Sequence, residues 1–137
     1  MLMKAHLEFH GLDLENGWET PAGYPPGFKL KVLSSDLDVV NKTGHLSRLV
    51  RIEPGSYTTN KFEHDYWEEI LLIQGDLVVC NDEKGEGGEQ FKAPTYAVRP
   101  PHVPHGPFSS RGGCLMFEIN YYSASPAAGK PGGQADD

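Results

Sequence analysis

Cysteine is scarce in this chain, and long apolar runs are missing altogether. Its 137 residues include two cysteines, Cys80 and Cys114. Both lie in strand-like apolar contexts, where a cysteine serves as a small buried hydrophobe and not as a disulfide partner or nucleophile. No stretch approaches the ~20 apolar residues that a membrane-spanning helix requires. The opening MLMKAHLEFH lacks the continuous apolar region and small-residue cleavage site of a signal peptide, so a cytoplasmic location is expected. Clustered positive charge is also missing. Twelve Lys and Arg are scattered among nineteen Asp and Glu, for a net charge of −7, which excludes the basic footprint of a nucleic-acid or anionic-membrane surface. There is no internal repeat, and no window of about 15 residues sustains a helical period.

What the chain does have is punctuation: sixteen Gly and eleven Pro divide it into short segments, the composition of an all-β protein. Its length suits one domain with a real core. Phe28, Lys29, Leu30, Lys31 and Val32 alternate with period two, as a half-buried strand does. Leu46–Glu53 is a second strand, stopped by Pro54 and Gly55. Ile70–Ile73 is apolar on both faces and belongs in the middle of a sheet. Gly75 and Asp76 then predict a tight turn, with Leu77–Cys80 returning. Further strands are expected over Glu89–Lys92, Tyr96–Arg99, Gly106–Ser109 and Leu115–Tyr122, a spacing typical of closed or double-sheet β domains. Three regions follow. Residues 1–26 form an N-terminal extension, with Lys4–Phe9 a candidate edge strand and Trp18 and Tyr24 packing on the outside or into a partner subunit. Residues 27–122 form the barrel. Residues 123–137 have no large apolar side chain and are expected to be a disordered tail.

The candidate chemistry lies in EHDYWEEILLIQG, Glu63–Gly75, and in PPHVPH, Pro100–His105. On one extended strand His64 and Glu68 would be about 13 Å apart at roughly 3.3 Å per residue, too far to share an ion. A helix would bring them together, but the flanking turns and β-branched run leave it no room. A hairpin remains: His64 ends one strand, Asp65–Trp67 turn, and Glu68 begins the next. His105 is the natural third ligand, on a corner stiffened by Pro100, Pro101 and Pro104. Two imidazoles and a carboxylate with open positions suit Fe(II), and also Zn, Mn, Co or Ni. Glu69 should face the opposite side of the sheet. Glu118 and Asn120 share a face opposite Phe117 and Ile119, available to a substrate or a ligating imidazole. Tyr57, Phe62, Tyr96, Phe108, Met116 and Phe117 supply pocket walls or core. His6, His10 and His45 are ordinary structural histidines.

These motifs resemble those of the cupins, small jelly-roll barrels. Their first motif reads G, five residues, H-x-H, three or four residues, E, six residues, G; their second reads P-x-G-x-x-H, then x-x-x-N. Gly55, His64, Glu68 and Gly75 fit the first, with three residues between His64 and Glu68 and six between Glu68 and Gly75. Pro100 and His105 fit the second. Phe62 stands where the first histidine of the pair belongs, the approach from Gly55 is one residue longer, and His102 and Ser109 stand for the second motif's glycine and asparagine. The pairing of EEILLIQGDL with RPPHVPHGPFSSRGGC is most similar to the small cupins related to the sensory domain of chromate-response anti-sigma factors and to acetylacetone-cleaving dioxygenase-like proteins.

The resemblance implies a homodimeric cupin-type double-stranded β-helix binding one divalent metal ion per chain, Fe(II) or Zn ahead of Mn or Ni. The metal ligands would be His64, Glu68 and His105, with His102 as proton carrier and either Glu63 or His102 available as a fourth ligand. The expected activity is dioxygenase-type, on a small oxygen-chelating substrate such as a β-dicarbonyl. The alternative is a non-catalytic zinc-binding sensor or ligand-binding cupin.

Overall fold

A computed structural model of the chain describes residues 4–124. Seven strands and no helix occur among them: β1 Phe28–Ser35, β2 His45–Ile52, β3 Trp67–Val79, β4 Glu89–Lys92, β5 Thr95–Arg99, β6 Phe108–Ser109 and β7 Cys114–Tyr121. No helix is long and apolar enough to cross a membrane. Every strand pairing is antiparallel, the all-β jelly roll expected from the turn spacing.

The long strand β3 organises the fold. Its first half lies between β7 and β5, with Glu68 opposite both Asn120 and Arg99; its last residues pair instead with β4 and β6. β7 continues into β2, and β2 into β1. Inward residues of these strands, among them Phe28, Val50, Ile52, Leu72, Leu77 and Met116, make one core. Each fully buried aliphatic side chain there contributes about 1.5–3 kcal/mol.

The predicted turn at Gly75–Asp76 does not form, because β3 runs through it. Gly75 sits at φ 84°, where a Cβ would come 2.0 Å from the Gly113 carbonyl oxygen. Glycine lets the strand bend there and pass from one set of partners to the other without a break. Ile70–Ile73 is central in hydrogen bonding, yet only one of its faces is covered: Leu72 is in the core, while Leu71 is 42% exposed. The candidate edge strand over Lys4–Phe9 is absent too. Those residues are exposed and unpaired in any ladder; the edge of β1 is met instead by Glu19, which exchanges both backbone hydrogen bonds with Leu30, and Trp18 beside it lies with its ring under Arg51 and Lys31. Tyr24 turns inward instead, stacked on Phe62 at 5.2 Å. Cys80 is exposed where a buried hydrophobe was expected, and Cys114 is buried; both are free thiols. The expected disordered tail falls, beyond Ala124, outside the described residues.

Candidate metal centre

Two short segments carry the histidines, and backbone hydrogen bonds join them. Phe62 and His105 exchange both backbone hydrogen bonds, at 2.7 and 2.9 Å, which places His64 and His105 side by side with ring centroids 5.1 Å apart. The chain then turns at Asp65 and Tyr66, pinned because the Asp65 carboxylate accepts from Lys42 Nζ and the Tyr122 hydroxyl, each at 2.8 Å. β3 starts at Trp67, and its first inward residue is Glu68. The hairpin expected between His64 and Glu68 does not form: His64 belongs to no strand and Trp67 is already in β3, so a pinned turn at Asp65 and Tyr66 brings the two residues together instead.

One ligand atom from each of His64, Glu68 and His105 lies within 4.8 Å of the others, and His105 Nε2 is 3.5 Å from Glu68 Oε1. Donors about 2.0–2.2 Å from a shared ion stand roughly 3–4.4 Å apart, so the cluster fits a divalent ion with small side-chain adjustment. Tautomer and protonation favour the same use. His105 Nδ1–H donates to the Val103 carbonyl at 3.1 Å, which leaves Nε2 with its lone pair towards Glu68. Burial lowers the pKa of both imidazoles, and for His64 the neighbouring His105 lowers it further. Neutral rings are the ligating form.

Glu68 is 3% exposed and does not stand alone. It accepts a hydrogen bond from Arg99 Nη1 at 2.8 Å. A second buried pair lies beside it: Arg48 Nε donates to Glu118 Oε1. Burial raises the Glu118 carboxyl to about 7, against the pull of Arg48. All five groups Arg48, His64, Glu68, His105 and Glu118 line one cavity of about 110 Å³, closed elsewhere by apolar side chains including Tyr24, Phe28, Phe62, Phe108 and Met116.

The other expected site residues lie elsewhere. His102 is outside the cavity lining; its side chain is 69% exposed and its Nδ1 is 3.4 Å from Glu63, also exposed. What His102 contributes to the centre is backbone: its N–H donates to the His64 carbonyl at 2.7 Å. It does so at φ 68°, a conformation that explains why the motif favours glycine there. Of the candidate walls, Phe62, Phe108 and Met116 line the cavity and Tyr57, Tyr96 and Phe117 do not. Glu118 lines it as well, whereas Asn120 is fully buried beside Glu68 with no partner for either amide atom among the described residues.

Sequence reasoning assigned no site role to Arg48 or Arg99, and Tyr24, expected on the outside or in a partner contact, lines the cavity instead. For Arg48 a signal existed, since β2 alternates and Arg48 shares the inward face of Val50 and Ile52. A charge at that phase marks a cavity.

No curated protein matches this chain in sequence. Among solved structures, an acetylacetone dioxygenase from Acinetobacter johnsonii superposes with a TM-score of 0.63 at 19% identity, over 87% of this chain and 77% of that one. KdgF from Halomonas sp. superposes with a TM-score of 0.59 at 16% identity, over 82% and 93%. The anti-sigma ChrR of Rhodobacter sphaeroides, solved in complex with SigE, superposes with a TM-score of 0.56 at 21% identity, over 79% of this chain and 50% of that chain. Such identities establish the fold and no more. The ChrR cupin-like domain family matches residues 18–122, from just before Tyr24 to the end of β7. Because that match spans most of the sequence, the chain belongs to the ChrR cupin-like family.

Proposed function

We propose that this chain is a metal-dependent enzyme of dioxygenase type, acting on a small organic molecule that chelates through oxygen, as a β-dicarbonyl does. The observation that carries this reading is the His64, Glu68 and His105 donor set at the polar end of an apolar cavity. Among the described residues these three alone form such a group, which leaves coordination positions for a substrate. A divalent ion held there would supply Lewis acidity and, as iron(II), reactivity towards dioxygen. The protein's own part is to keep both imidazoles neutral, to hold Glu68 in place through Arg99, and to exclude water with Tyr24, Phe62 and Phe108.

The test is metal content with oxygen uptake against β-dicarbonyl compounds. One Fe, Mn or Ni per chain, lost in His64→Ala and His105→Ala together with oxygen uptake, is the expected result. Full activity in metal-free protein would refute the reading. His102, exposed and outside the cavity lining, stays a candidate proton carrier. His102→Gly should relieve its positive φ and raise stability by about 0.5–1 kcal/mol. A simultaneous loss of turnover with metal retained would support the carrier role, and unchanged turnover would end it.

A second reading is a non-catalytic zinc-binding sensor or ligand-binding domain. The Glu68–Arg99 pair favours it, since a carboxylate satisfied by arginine stands without turnover chemistry. Zinc that resists dialysis, with no oxygen uptake under any metal, would select it. Either form is proposed to be cytoplasmic and to pair as a homodimer through the outer face of β3 and β5. There Leu71, Ile73, Tyr96 and Val98 are exposed, and the Glu69 carboxylate among them is capped by two tyrosine hydroxyls. Two copies meeting there would bring no bare like charges together.

A further inference from the structure

The charges around the cavity narrow the class of molecule it can take. Arg48 faces Glu118 and Arg99 faces Glu68, so the two carboxylates at most balance the two arginines. A divalent ion on His64, Glu68 and His105 adds two positive charges that no further carboxylate of the lining meets. Between walls such as Phe28 and Met116, uncompensated charge is costly, and an anionic ligand offsets it.

Arg48 is built to receive that anion. Its side chain lines the cavity and is only 20% exposed. The bond from Nε to Glu118 is the one hydrogen bond it makes to the described residues, so the two terminal amino groups of the guanidinium still have their N–H donors to offer. Those donors form a planar fork that matches a carboxylate. We propose that Arg48 is the anion anchor of this site and that the cavity takes a small oxo-carboxylate. The carboxylate rests on Arg48, and the oxo group points to the His64, Glu68 and His105 end. The inference rests on the metal reading above. The cavity of about 110 Å³ is on the scale of the ~150 Å³ that holds benzene, which keeps the ligand small.

Acetoacetate and acetylacetone test this directly, because they have the same number of non-hydrogen atoms and differ by a carboxylate oxygen in place of a methyl group. Binding is measured calorimetrically on zinc-loaded protein, where redox turnover does not interfere. Acetoacetate should bind at least about tenfold tighter than acetylacetone, and Arg48→Lys should keep part of that preference. The Arg48→Gln/Glu118→Gln double variant, which leaves no stranded carboxylate, should lose the preference while keeping its zinc. Equal or tighter binding of acetylacetone by the wild type, or a preference that survives in the double variant, overturns the proposal. Zinc stoichiometry separates the two failures. One zinc per chain, lost in His105→Ala, with no carboxylate preference removes the Arg48 anchor and leaves the metal reading standing; protein that takes up no zinc removes both.

Discussion

Glu68 and Glu69 are neighbours on β3 that look out on opposite sides of the same sheet, and neither side has the usual polarity of a β domain. Inward from β3 and β7, Glu68, Glu118 and Asn120 are buried alongside the core residues Leu72 and Met116; outward lie the apolar Leu71, Ile73, Phe117 and Ile119. Glu68 is buried against a guanidinium and an imidazole, with its charge matched by charge. The Glu69 carboxylate accepts from the hydroxyls of Tyr96 at 2.5 Å and Tyr121 at 2.7 Å. Those bonds hold its pKa low; the bond to Glu69 raises the Tyr96 phenol to about 12, and burial first, then the bond, raises that of Tyr121 to about 12. Buried charge inside is costly, and it is tolerated only where each group has a partner. An apolar outer face carries a different cost, exposure to water, which association relieves. One residue of register thus separates the chemistry of the site from the surface proposed for assembly.

The sharpest break in the comparison is Glu68→Gln against Glu69→Gln. Removing the inner carboxylate takes away a ligand, so metal affinity should fall by more than about 100-fold. Glu68→Ala also strands the Arg99 guanidinium in a nearly closed environment and should cost about 3–5 kcal/mol in denaturant unfolding. Retention of metal by Glu68→Gln, measured by elemental analysis, would reduce Glu68 to the partner of Arg99 and nothing more.

Asp76, a third carboxylate on the same strand, sharpens the contrast, because it is buried without a cationic side chain bonded to it. Burial pushes its pKa up, but hydrogen bonds donated by the Arg111 and Gly112 N–H groups, at 2.9 and 2.7 Å, and by Gln90 outweigh that effect and hold it below the ordinary 3.8. Its folded pKa lies below its unfolded one, so its contribution to stability is intact above the unfolded value and is lost as pH falls through the folded value. Asp76→Asn should cost about 2 kcal/mol near neutrality, and the gap to wild type should close as the pH is lowered below about 4. A gap that stayed constant with pH would show that its hydrogen bonds do not depend on its charge.

Much of this was legible because strand alternation and ligand spacing are local. His64 and Glu68 could be brought together by a turn, His105 added from its proline corner and the motif resemblance, and Glu69 assigned to the other face from period two. What was not legible depended on long-range partners. Arg99 meets Glu68 only because β5 lies beside β3 in one particular register, with Glu68 opposite Arg99. Tyr24 reaches the cavity only because the segment before β1 folds across Phe62. His102 had the residue type of a proton carrier, while its exposure and its φ follow from a corner that no residue count describes. The continuous strand through Gly75 was misread for the same reason: a glycine before an aspartate signals a turn, unless the carbonyl of a neighbouring strand occupies the place of its missing side chain.

The outer face supplies the two smaller effects, and together they separate association from folding. Leu71→Glu puts a charge in the middle of the proposed interface at a position already 42% exposed. It should weaken self-association at least about tenfold in sedimentation equilibrium while changing monomer stability by less than about 0.5 kcal/mol. Glu69→Gln is the finer probe. It keeps the shape and one acceptor for the tyrosine hydroxyls and removes only the charge, and because Tyr96 is 57% exposed the loss should stay under about 1 kcal/mol. The Tyr96 phenol should then titrate closer to its ordinary value, since the carboxylate that chiefly raises it is gone, while Tyr121, raised first by burial, should shift less, and spectrophotometric titration would register the difference. If Glu69→Gln lowered metal content as much as Glu68→Gln, the sheet would not insulate its two faces from each other, and the one-residue separation between site and surface would fail.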